Sequence, residues 1–466
     1  MRNSGRRFAT CDPRRAALAA SLFVWLLAGC ERPIARDEVA SALTGLDRPD
    51  LVLIVVDTLR ADQTTPYAPG LDTTPELADW AARGVVFERV LAQSSWTKIS
   101  MASFMTSLWP SSHGVDMPGD GLAEDATTLA ELLRDAGYAT YGVQTNGWLH
   151  QSFGFHQGFD RYLFPLGSGG VGNDSASVWS HADRVVHEAE RMLAERDPDR
   201  PLFLYVHFMD VHEFAAPPEF QHYGSGTKAQ YLSAIRWVDD AIRRVRIAVE
   251  AGARGDASVL VVASDHGETF GEHGVEGHAR NVFTSVLDVP LVWRFPFAVE
   301  PIRVPTRVRN LDVAPTLLEI AGVPVPERFA GVSLLPLVAR GADAEAAPDR
   351  PSIAALGFPL FPDAAVQTSI HEGAWVYARN APTVEEGSPL VFRNSAAAPG
   401  AEFLFDRRLD PGENVNLADR EAAERARMAT QLEAHLREFP DEGVRQEDIR
   451  IDPAIADRLR AMGYLR

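Results

Sequence analysis

The chain has 466 residues, of which 46% are hydrophobic and 23% are charged, a composition typical of globular proteins. Its formal net charge of −19 argues against binding to nucleic acid, because an acidic surface repels phosphates. The length allows one large α/β domain with an appendage or two to three smaller domains, and the absence of internal repeats argues against solenoids and propellers.

The first thirty residues have the pattern of an export signal. Five arginines precede an apolar run that ends at Cys30. The run is too short for a comfortable membrane span of about 20 residues. The letters LAGC at 27–30 are typical of a bacterial lipobox. Residues 1–29 are therefore predicted to be a lipoprotein signal peptide, with Cys30 as the lipidated residue. A plain signal peptide or a short anchor is the alternative.

The cysteine content fits this interpretation. The two cysteines are Cys11 and Cys30, so a mature domain would have neither a disulfide nor a thiol nucleophile. The predicted location is a bacterial cell envelope, on the periplasmic or outer face, with the protein held at the membrane by the lipid on Cys30. Residues 30–48 are polar and mixed, and are interpreted as a tether.

From residue 49 onward, apolar runs rich in Val, Ile and Leu alternate with segments of helical period. Strands are predicted over 51–57, 139–145, 202–208, 258–264 and 290–295. Helices are predicted over 74–84, 128–137, 181–196 and 229–252. Strands that are apolar on both faces and alternate with helices indicate an α/β fold, with a largely parallel sheet covered by helices on both faces.

The composition changes after about residue 345. Residues 345–400 are rich in Pro, Ala and Gly, a strand and a turn are predicted at 403–418, and a helical tail of alternating charge follows. We therefore predict a main domain over 49–345 and a smaller α+β subdomain over 346–466.

Acidic and imidazole side chains stand at the ends of two predicted strands. Asp57 ends the first strand, and Asp265 and His266 end a later one, followed by His273 and His278 among glycines. Because ligands bind at the carboxyl ends of parallel strands, these side chains can converge on a cation there. One aspartate alone could be a helix cap, but the two strands together favour a metal site.

More histidines accompany a third predicted strand. In HFMDVHEF (207–214), His212 lies beyond the strand end and is the better site candidate. His207 is interpreted as a buried polar residue, since strand alternation points it away from the surroundings of His212.

These residues lie in segments that together resemble the sulfatase family of the alkaline phosphatase superfamily. The segments are LVLIVVDTLRAD, TTPELADWAARGVVFERVLAQSSWT, ASFMTSLWPSSHGV, NGWLHQSFGFHQGFDRY, HFMDVHEF, SDHGETFGEHGVEGH and RNLDVAPTLLEIAGVPVPERFAGVSLLP. Their order and spacing fit from about 50 to 337, and FLFDRRLDPGENVNLA and LRAMGYL resemble the family too. The resemblance implies an alkaline-phosphatase-like fold and a divalent metal beside a nucleophile that attacks sulfur or phosphorus in an ester.

The segment SSWTKISMASFMTS (94–107) departs from the family pattern. Typical sulfatases use a formylglycine made from the cysteine of Cys-x-Pro-x-Arg. Alignment with the family places Thr97 at the cysteine, Ile99 at the proline and Met101 at the arginine, and no cysteine follows Cys30. The resemblance therefore implies Thr97 as the nucleophile. An ordinary buried helix turn is the alternative for this stretch.

Asp57, Thr97, Asp265 and His266 resemble the Asp, Thr, Asp, His set of threonine-nucleophile enzymes in the same superfamily. This implies one divalent metal held by the four residues, and the imidazole favours Mn²⁺ or Zn²⁺ over Ca²⁺. A formylglycine hydrate expels sulfate by collapsing to the aldehyde, whereas a sulfated threonine has no such exit. The set therefore favours cleavage of phosphodiesters or phosphonate esters.

Lys98, Asn146 and three histidines complete the predicted site. Lys98 is assigned the charge-stabilising role of the missing arginine, with a solvated lysine at a helix start as the alternative. By resemblance, His212 and His278 contact the substrate or its leaving group, or hold a second metal. His273 and Asn146 are weaker candidates for substrate binding.

The sequence thus predicts a lipid-anchored, metal-dependent hydrolase of sulfate or phosphate esters. Its expected partners are an anionic ester and the membrane, with no nucleic acid, and the oligomeric state stays open. Two alternatives are a membrane-tethered phosphoryl head-group transferase and a non-catalytic binding protein that kept the fold. Retention of all four metal ligands weighs against the second alternative.

Overall fold

A computed structural model describes residues 33–165, 181–358, 360–361, 364–382 and 398–461. The predicted signal peptide and Cys30 lie outside these residues. Within the described ranges, no helix combines the length and the apolar composition needed to cross a membrane.

The described chain contains a large central sheet and a smaller second one. The strands are β1 Asp50–Val56, β2 Val85–Leu91, β3 Gly121–Leu122, β4 Ala139–Gln144, β5 Arg161–Leu163, β6 Leu202–Phe208, β7 Ser258–Ser264, β8 Leu291–Arg294, β9 Ile302–Arg309, β10 Ser352–Leu356, β11 Gln367–Glu372, β12 Trp375–Asn380, β13 Glu402–Asp406 and β14 Arg445–Gln446. The central sheet has eight strands in the order β5-β4-β6-β1-β7-β8-β2-β9. All its pairings are parallel except those of β8, which runs antiparallel to β7 and β2.

Helices cover both faces of the central sheet. The α-helices are α1 Val39–Thr44, α2 Pro75–Ala81, α3 Thr97–Thr106, α4 Pro110–His113, α5 Leu129–Asp135, α6 His181–Glu195, α7 Thr227–Glu250, α8 Thr284–Leu287, α9 Val313–Ile320, α10 Leu335–Arg340, α11 Ala422–Glu438 and α12 Pro453–Ala461. Every residue of β1, β6 and β7 is buried, because α3, α5 and α9 pack on one face and α6 and α7 on the other. The predicted α/β fold is confirmed.

The second sheet belongs to the carboxyl-terminal part of the chain. Strands β10 to β13 form a four-stranded antiparallel sheet, and α11 packs on it through the buried side chains of Met428 and Leu432. The chain then returns to the main domain, where β14 pairs with β3. Leu459 of α12 lies against Gly147, where an added Cβ would come within 3.2 Å of it.

The segment predicted as a tether is partly built into the main domain. Ile34 donates its backbone N–H to Ala298 at 2.9 Å, and Val39 and Leu43 on α1 are fully buried in the core. The tether prediction for 30–48 is therefore wrong from residue 34 onward. Its polar composition hid two apolar side chains four residues apart, which is the spacing of one helix face.

Candidate active site

The carboxyl ends of β1 and β7 bring three potential metal ligands together. The two strands pair in parallel with Val56 opposite Ser264, so the residues that follow them are neighbours. Asp57, Asp265 and His266 are fully buried, and one ligand atom of each lies within 4.8 Å of the others. This part of the predicted site is therefore assembled by strand register alone.

Hydrogen bonds orient the ligand atoms inward. Asp57 accepts hydrogen bonds at Oδ2 and Asp265 accepts them at Oδ1. Asp57 Oδ1 and Asp265 Oδ2 are buried and have no hydrogen-bond partner among the described residues, and both face His266 Nε2, at 3.9 Å and 3.4 Å. His266 Nδ1 lies 3.0 Å from the carbonyl oxygen of Gly267, so it carries the proton and leaves the Nε2 lone pair free for a cation. Two unpartnered carboxylate oxygens and an imidazole nitrogen form a donor set that fits a divalent metal ion.

The environment shifts the pKa values of the two carboxyl groups in opposite directions. Burial and the neighbouring charge of Asp57 raise the pKa of Asp265 well above its usual range. Burial acts in the same direction on Asp57, but its hydrogen bond with His207 and the nearby imidazoles lower the pKa of that group below its usual range. A cation bound between two carboxylates this close would favour the ionised form of both.

Thr97 is the first residue of α3 and places its hydroxyl at this cluster. Its Oγ1 lies 3.1 Å from His266 Nε2 and 3.4 Å from Asp57 Oδ2. The side chain is only 1% exposed. The preceding Trp96 is extended and provides no side-chain cap, so the first backbone N–H groups and the positive end of the helix dipole are oriented toward the same space.

Asn146 joins the cluster from the end of β4. Its Oδ1 accepts the backbone N–H of Trp148 at 2.8 Å, which fixes the orientation of the amide. Its Nδ2 then donates to Asp57 Oδ2 at 2.7 Å and approaches Thr97 Oγ1 at 3.4 Å. A side chain that the sequence marked as a weaker candidate thus contacts both a predicted ligand and the predicted nucleophile.

His278 and His212 form a column of rings that begins at His266. The centroid of His278 is 4.6 Å from that of His266 and 4.8 Å from that of His212. His278 Nδ1 lies 3.1 Å from Glu268 Oε2. Desolvation lowers the pKa of His212 to about 4 and raises that of the Glu268 carboxyl to about 7. The column thus continues from the cluster residue His266, whose Nε2 lies 3.1 Å from Thr97 Oγ1.

The structure does not bring Lys98 to this centre. Its Nζ donates to the carbonyl oxygens of Met117 at 3.4 Å and Pro118 at 2.7 Å, and it lies 3.9 Å from the ring centroid of Phe153 and 4.8 Å from that of Trp148. The lysine is fully buried, and burial lowers its pKa well below the usual range. Both expectations for Lys98, the charge-stabilising role and the solvated alternative, are corrected, because consecutive helix residues face different directions.

His273 also lies apart from the cluster. Its ring packs at a tilt against Phe283, with centroids 4.4 Å apart, and lies 6.4 Å from the ring centroid of Phe405 of the second sheet. Its backbone has a φ of 55°, an uncommon value for a residue other than glycine. The substrate-binding expectation for His273 is therefore not supported by its position.

Three residues near the site were missed or misplaced by the sequence argument. His207 is buried as expected, but its Nε2 contacts Asp57 Oδ2 at 3.1 Å. Glu268, three residues after Asp265, holds His278. Thr58 has a φ of 59° and donates its backbone N–H to Asp265 Oδ1 at 3.2 Å. Only Glu268 had a sequence signal, as an acidic residue inside the histidine-rich segment.

A buried hydroxyl lies beside an Asp-Asp-His cluster at the carboxyl ends of a helix-covered parallel sheet, in an alkaline-phosphatase-like fold. The family model described as Sulfatase matches residues 49–323, which is more than half of the chain. The chain therefore belongs to the sulfatase family, as its motifs implied.

Individual comparisons agree with this assignment. Arylsulfatase J of Mus musculus is 28% identical over 275 residues, which cover 50% of this chain and 44% of that protein, so the chain spans less than half of this relative. BT4656, solved in complex with its substrate D-glucosamine-2-N,6-O-disulfate, has a TM-score of 0.67 at 18% identity, covering 84% of this chain and 98% of that one. The phosphonate monoester hydrolase of Agrobacterium radiobacter has a TM-score of 0.66 at 21% identity, covering 84% and 96%. At these identities the two solved structures show the fold alone.

Proposed function

We propose that this sulfatase-family chain cleaves phosphodiesters or phosphonate esters, with Thr97 as the nucleophile and one divalent metal ion held by Asp57, Thr97, Asp265 and His266. The observation that carries the proposal is the convergence of Thr97 Oγ1 with an imidazole nitrogen and two unpartnered carboxylate oxygens in one buried space. The imidazole favours Mn²⁺ or Zn²⁺ over Ca²⁺, which prefers oxygen ligands throughout.

The proposed reaction is a double displacement. A divalent ion bound at the cluster would favour ionisation of the Thr97 hydroxyl and offset charge on the phosphoryl oxygens. Thr97 Oγ1 loses its proton and attacks phosphorus, the bond from phosphorus to the leaving oxygen breaks, and the leaving group takes up a proton and departs as an alcohol. Thr97 is then esterified to the phosphoryl or phosphonyl group, which keeps its other substituent. Water attacks the same phosphorus, breaks the bond to Thr97 Oγ1, releases a phosphate monoester or a phosphonate and restores the threonine hydroxyl. Threonine is adequate for this chemistry because water, in the second step, breaks the bond between phosphorus and Thr97 Oγ1, so no aldehyde has to form.

The remaining side chains have separable roles in this proposal. Asn146 Nδ2, within 3.4 Å of Thr97 Oγ1, is placed to donate a hydrogen bond to a non-bridging oxygen near the nucleophile. The amino end of α3 adds backbone N–H groups on the same side. His278 and His212 are proposed to hydrogen bond with the leaving group, and Glu268 orients the ring of His278.

Sulfate ester hydrolysis is the second candidate function. The family match and the sulfated substrate of BT4656 favour it. The fold of the phosphonate monoester hydrolase and the threonine at the nucleophile position favour phosphoryl chemistry instead, since a sulfated threonine has no route back through an aldehyde.

An assay with four aryl esters separates these candidates. The metal content of the purified chain would be measured, together with kcat/KM for an aryl sulfate, a phosphate monoester, a phosphodiester and a phosphonate monoester. Thr97→Val should abolish turnover. Thr106→Val is the matched control, because Thr106 is a buried threonine of the same helix whose hydroxyl is bonded to Ala102 within that helix. Preference for the aryl sulfate would overturn the phosphoryl proposal, and unchanged turnover by Thr97→Val would overturn the nucleophile.

The location of the protein is a separate proposal. It rests on the LAGC sequence at 27–30 and holds that Cys30 carries a lipid that anchors the domain at the cell envelope. Expression with a radiolabelled fatty acid should label the wild-type chain, and the Cys30→Ser variant should be unlabelled. Equal labelling of both forms would refute the anchor.

A further inference from the structure

The carboxylate of Asp57 is held at Oδ2 by a chain of buried side chains on β6. Its Oδ2 atom lies 3.1 Å from Nε2 of His207, whose Nδ1 lies 2.8 Å from the Tyr205 hydroxyl. His207 and Asp57 are 0% exposed and Tyr205 is 1% exposed. Three buried polar side chains thus form a single chain of hydrogen bonds that ends on a predicted metal ligand.

The direction of these hydrogen bonds follows from donor and acceptor chemistry. An ionised Asp57 can only accept, so His207 Nε2 donates to it. When the imidazole is uncharged, its Nδ1 accepts from the Tyr205 hydroxyl. In both cases histidine donates to Oδ2, and Oδ1 is left without a hydrogen-bond partner among the described residues.

Strand geometry places the three side chains together. Tyr205 and His207 are two residues apart on β6, so they point to the same face of the sheet. In the parallel register of β1 and β6, Val55 lies opposite His207. The Asp57 backbone N–H then donates to the carbonyl of Phe208 at 2.9 Å, which keeps the aspartate beside the end of β6.

We propose that Tyr205 and His207 are positioning residues that fix the Asp57 carboxylate so that Oδ1, rather than Oδ2, faces the bound cation. The inference rests on the proposed metal-dependent function. A ligand carboxylate that is held by a second hydrogen-bonding group binds its metal more tightly, because the orientation of the ligand is settled before binding. Loss of such a group typically weakens metal binding about 10- to 100-fold.

The test measures metal affinity rather than turnover. Metal-free purified chain would compete with a chromophoric chelator for Zn²⁺. His207→Leu should weaken Zn²⁺ binding about 10- to 100-fold. Tyr205→Phe, which removes one hydroxyl and leaves the imidazole, should weaken it by a smaller factor. His207→Gln, whose side-chain amide can still donate near the position of Nε2, should recover most of the affinity.

The second sheet offers a matched control. His371 is a fully buried strand histidine that contacts the hydroxyl of Ser369, two residues earlier, at 3.2 Å. His371→Leu should therefore leave Zn²⁺ affinity unchanged while removing a buried imidazole in the same kind of strand setting.

Several outcomes would overturn the inference. These are wild-type Zn²⁺ affinity in a folded His207→Leu variant, an equal loss of affinity in His371→Leu, and no Zn²⁺ binding by the wild-type chain. If circular dichroism shows that His207→Leu does not fold, Tyr205→Phe decides, and its unchanged affinity would overturn the inference. A chain that binds Zn²⁺ with these differences but turns over none of the four esters would contradict the proposed function alone.

Discussion

Replacing Asn146 with aspartate tests the centre of the site, because it exchanges only the side-chain NH₂ group for an oxygen. The Asn146→Asp variant keeps the Oδ1 that caps Trp148 N–H and exchanges the Nδ2 donor for an acceptor. The new oxygen would lie at the position that is now 2.7 Å from Asp57 Oδ2 and 3.4 Å from Thr97 Oγ1. A hydrogen bond would thereby become a contact between two carboxyl groups.

The magnitude follows from the distance. Two unit charges 2.7 Å apart repel by ~6 kcal/mol at an effective dielectric constant of about 20. The lost hydrogen bond to a charged group is worth about 1.5–3 kcal/mol, so the repulsion dominates and the pair takes up a shared proton at neutral pH. The donor beside the reacting oxygens is lost as well, which typically costs about 10²–10³ in kcat. We expect kcat/KM to fall at least about 10²-fold.

The assay compares initial rates on an aryl phosphodiester for the wild type and two variants. Asn380→Asp is the control, because Asn380 is a buried asparagine of the second sheet whose amide bonds to Gln367 and Ala398. Metal content and the thermal unfolding midpoint would be recorded for each protein. If Asn146→Asp folded, carried metal and retained wild-type kcat/KM, the position assigned to the substrate oxygens would be wrong.

Three further predictions concern buried charges. Lys98→Met should lower kcat/KM less than about 10-fold, because the Lys98 amino group bonds to main-chain carbonyls. Loss of a charge-stabilising donor would instead cost about 10²–10³ in rate, and steady-state rates distinguish the two. Arg196→Met should lower the free energy of unfolding by about 1.5–3 kcal/mol in urea titrations, because the buried Asp50 would lose its 2.6 Å ion pair with Arg196 and keep only its 3.3 Å contact with Arg254. Burial raises the pKa of Asp239 to about 7. The folded state therefore binds this proton more tightly than the unfolded state, and stability should fall as pH rises from about 4 to 7, by up to about 1.4 kcal/mol per pH unit. Asp239→Asn should remove this part of the slope in urea midpoints measured across that range, and an unchanged slope would contradict it.

The sequence predicted the parallel part of the fold because buried parallel strands are continuous apolar runs. The strands at 51–57, 139–145, 202–208 and 258–264 correspond to β1, β4, β6 and β7 within one residue at each end. Strands β2 and β9 were missed. Both carry charged side chains, as in VVFERVL and IRVPTRVR, and two residues of β2 are exposed. Neither strand has the continuous apolar character on which the prediction relied.

The sequence predicted those parts of the site that lie directly at the ends of strands. Asp57, Asp265 and His266 follow strands whose neighbours are set by register, so their convergence follows from the fold. Lys98 and His207 show the limit, because the direction of a single side chain depends on local geometry. Lys98 is turned away from the cluster by one helix position. The prediction that His207 points away from the surroundings of His212 did not show that the Asp57 carboxylate lies in the direction to which His207 points.

The missing arginine has a consequence for substrate charge. Met101, at the position of the family's arginine, is fully buried in the apolar core, and Lys98 does not replace the lost charge. Among the described residues, no lysine or arginine side chain hydrogen bonds with Asp57, Thr97 or the Asp265–His266 pair. The positive charge in direct contact with these four residues would then come from one cation. Arg280 lies beside the histidine column, where it donates to the His278 backbone carbonyl at 2.9 Å.

Such a centre matches esters that carry one negative charge better than phosphate monoesters, which carry about two at neutral pH. The second charge would face the carboxylates of the cluster without a cation of its own, and like charges in a buried site repel strongly. We therefore expect kcat/KM for an aryl phosphodiester or phosphonate monoester to exceed that for the matching phosphate monoester by at least about 10-fold, the factor given by 1.4 kcal/mol. Steady-state rates on esters with the same leaving group would measure the ratio. A preference for the phosphate monoester would contradict this reasoning and would indicate that a second positive group, with Arg280 beside His278 as the first candidate, reaches the substrate.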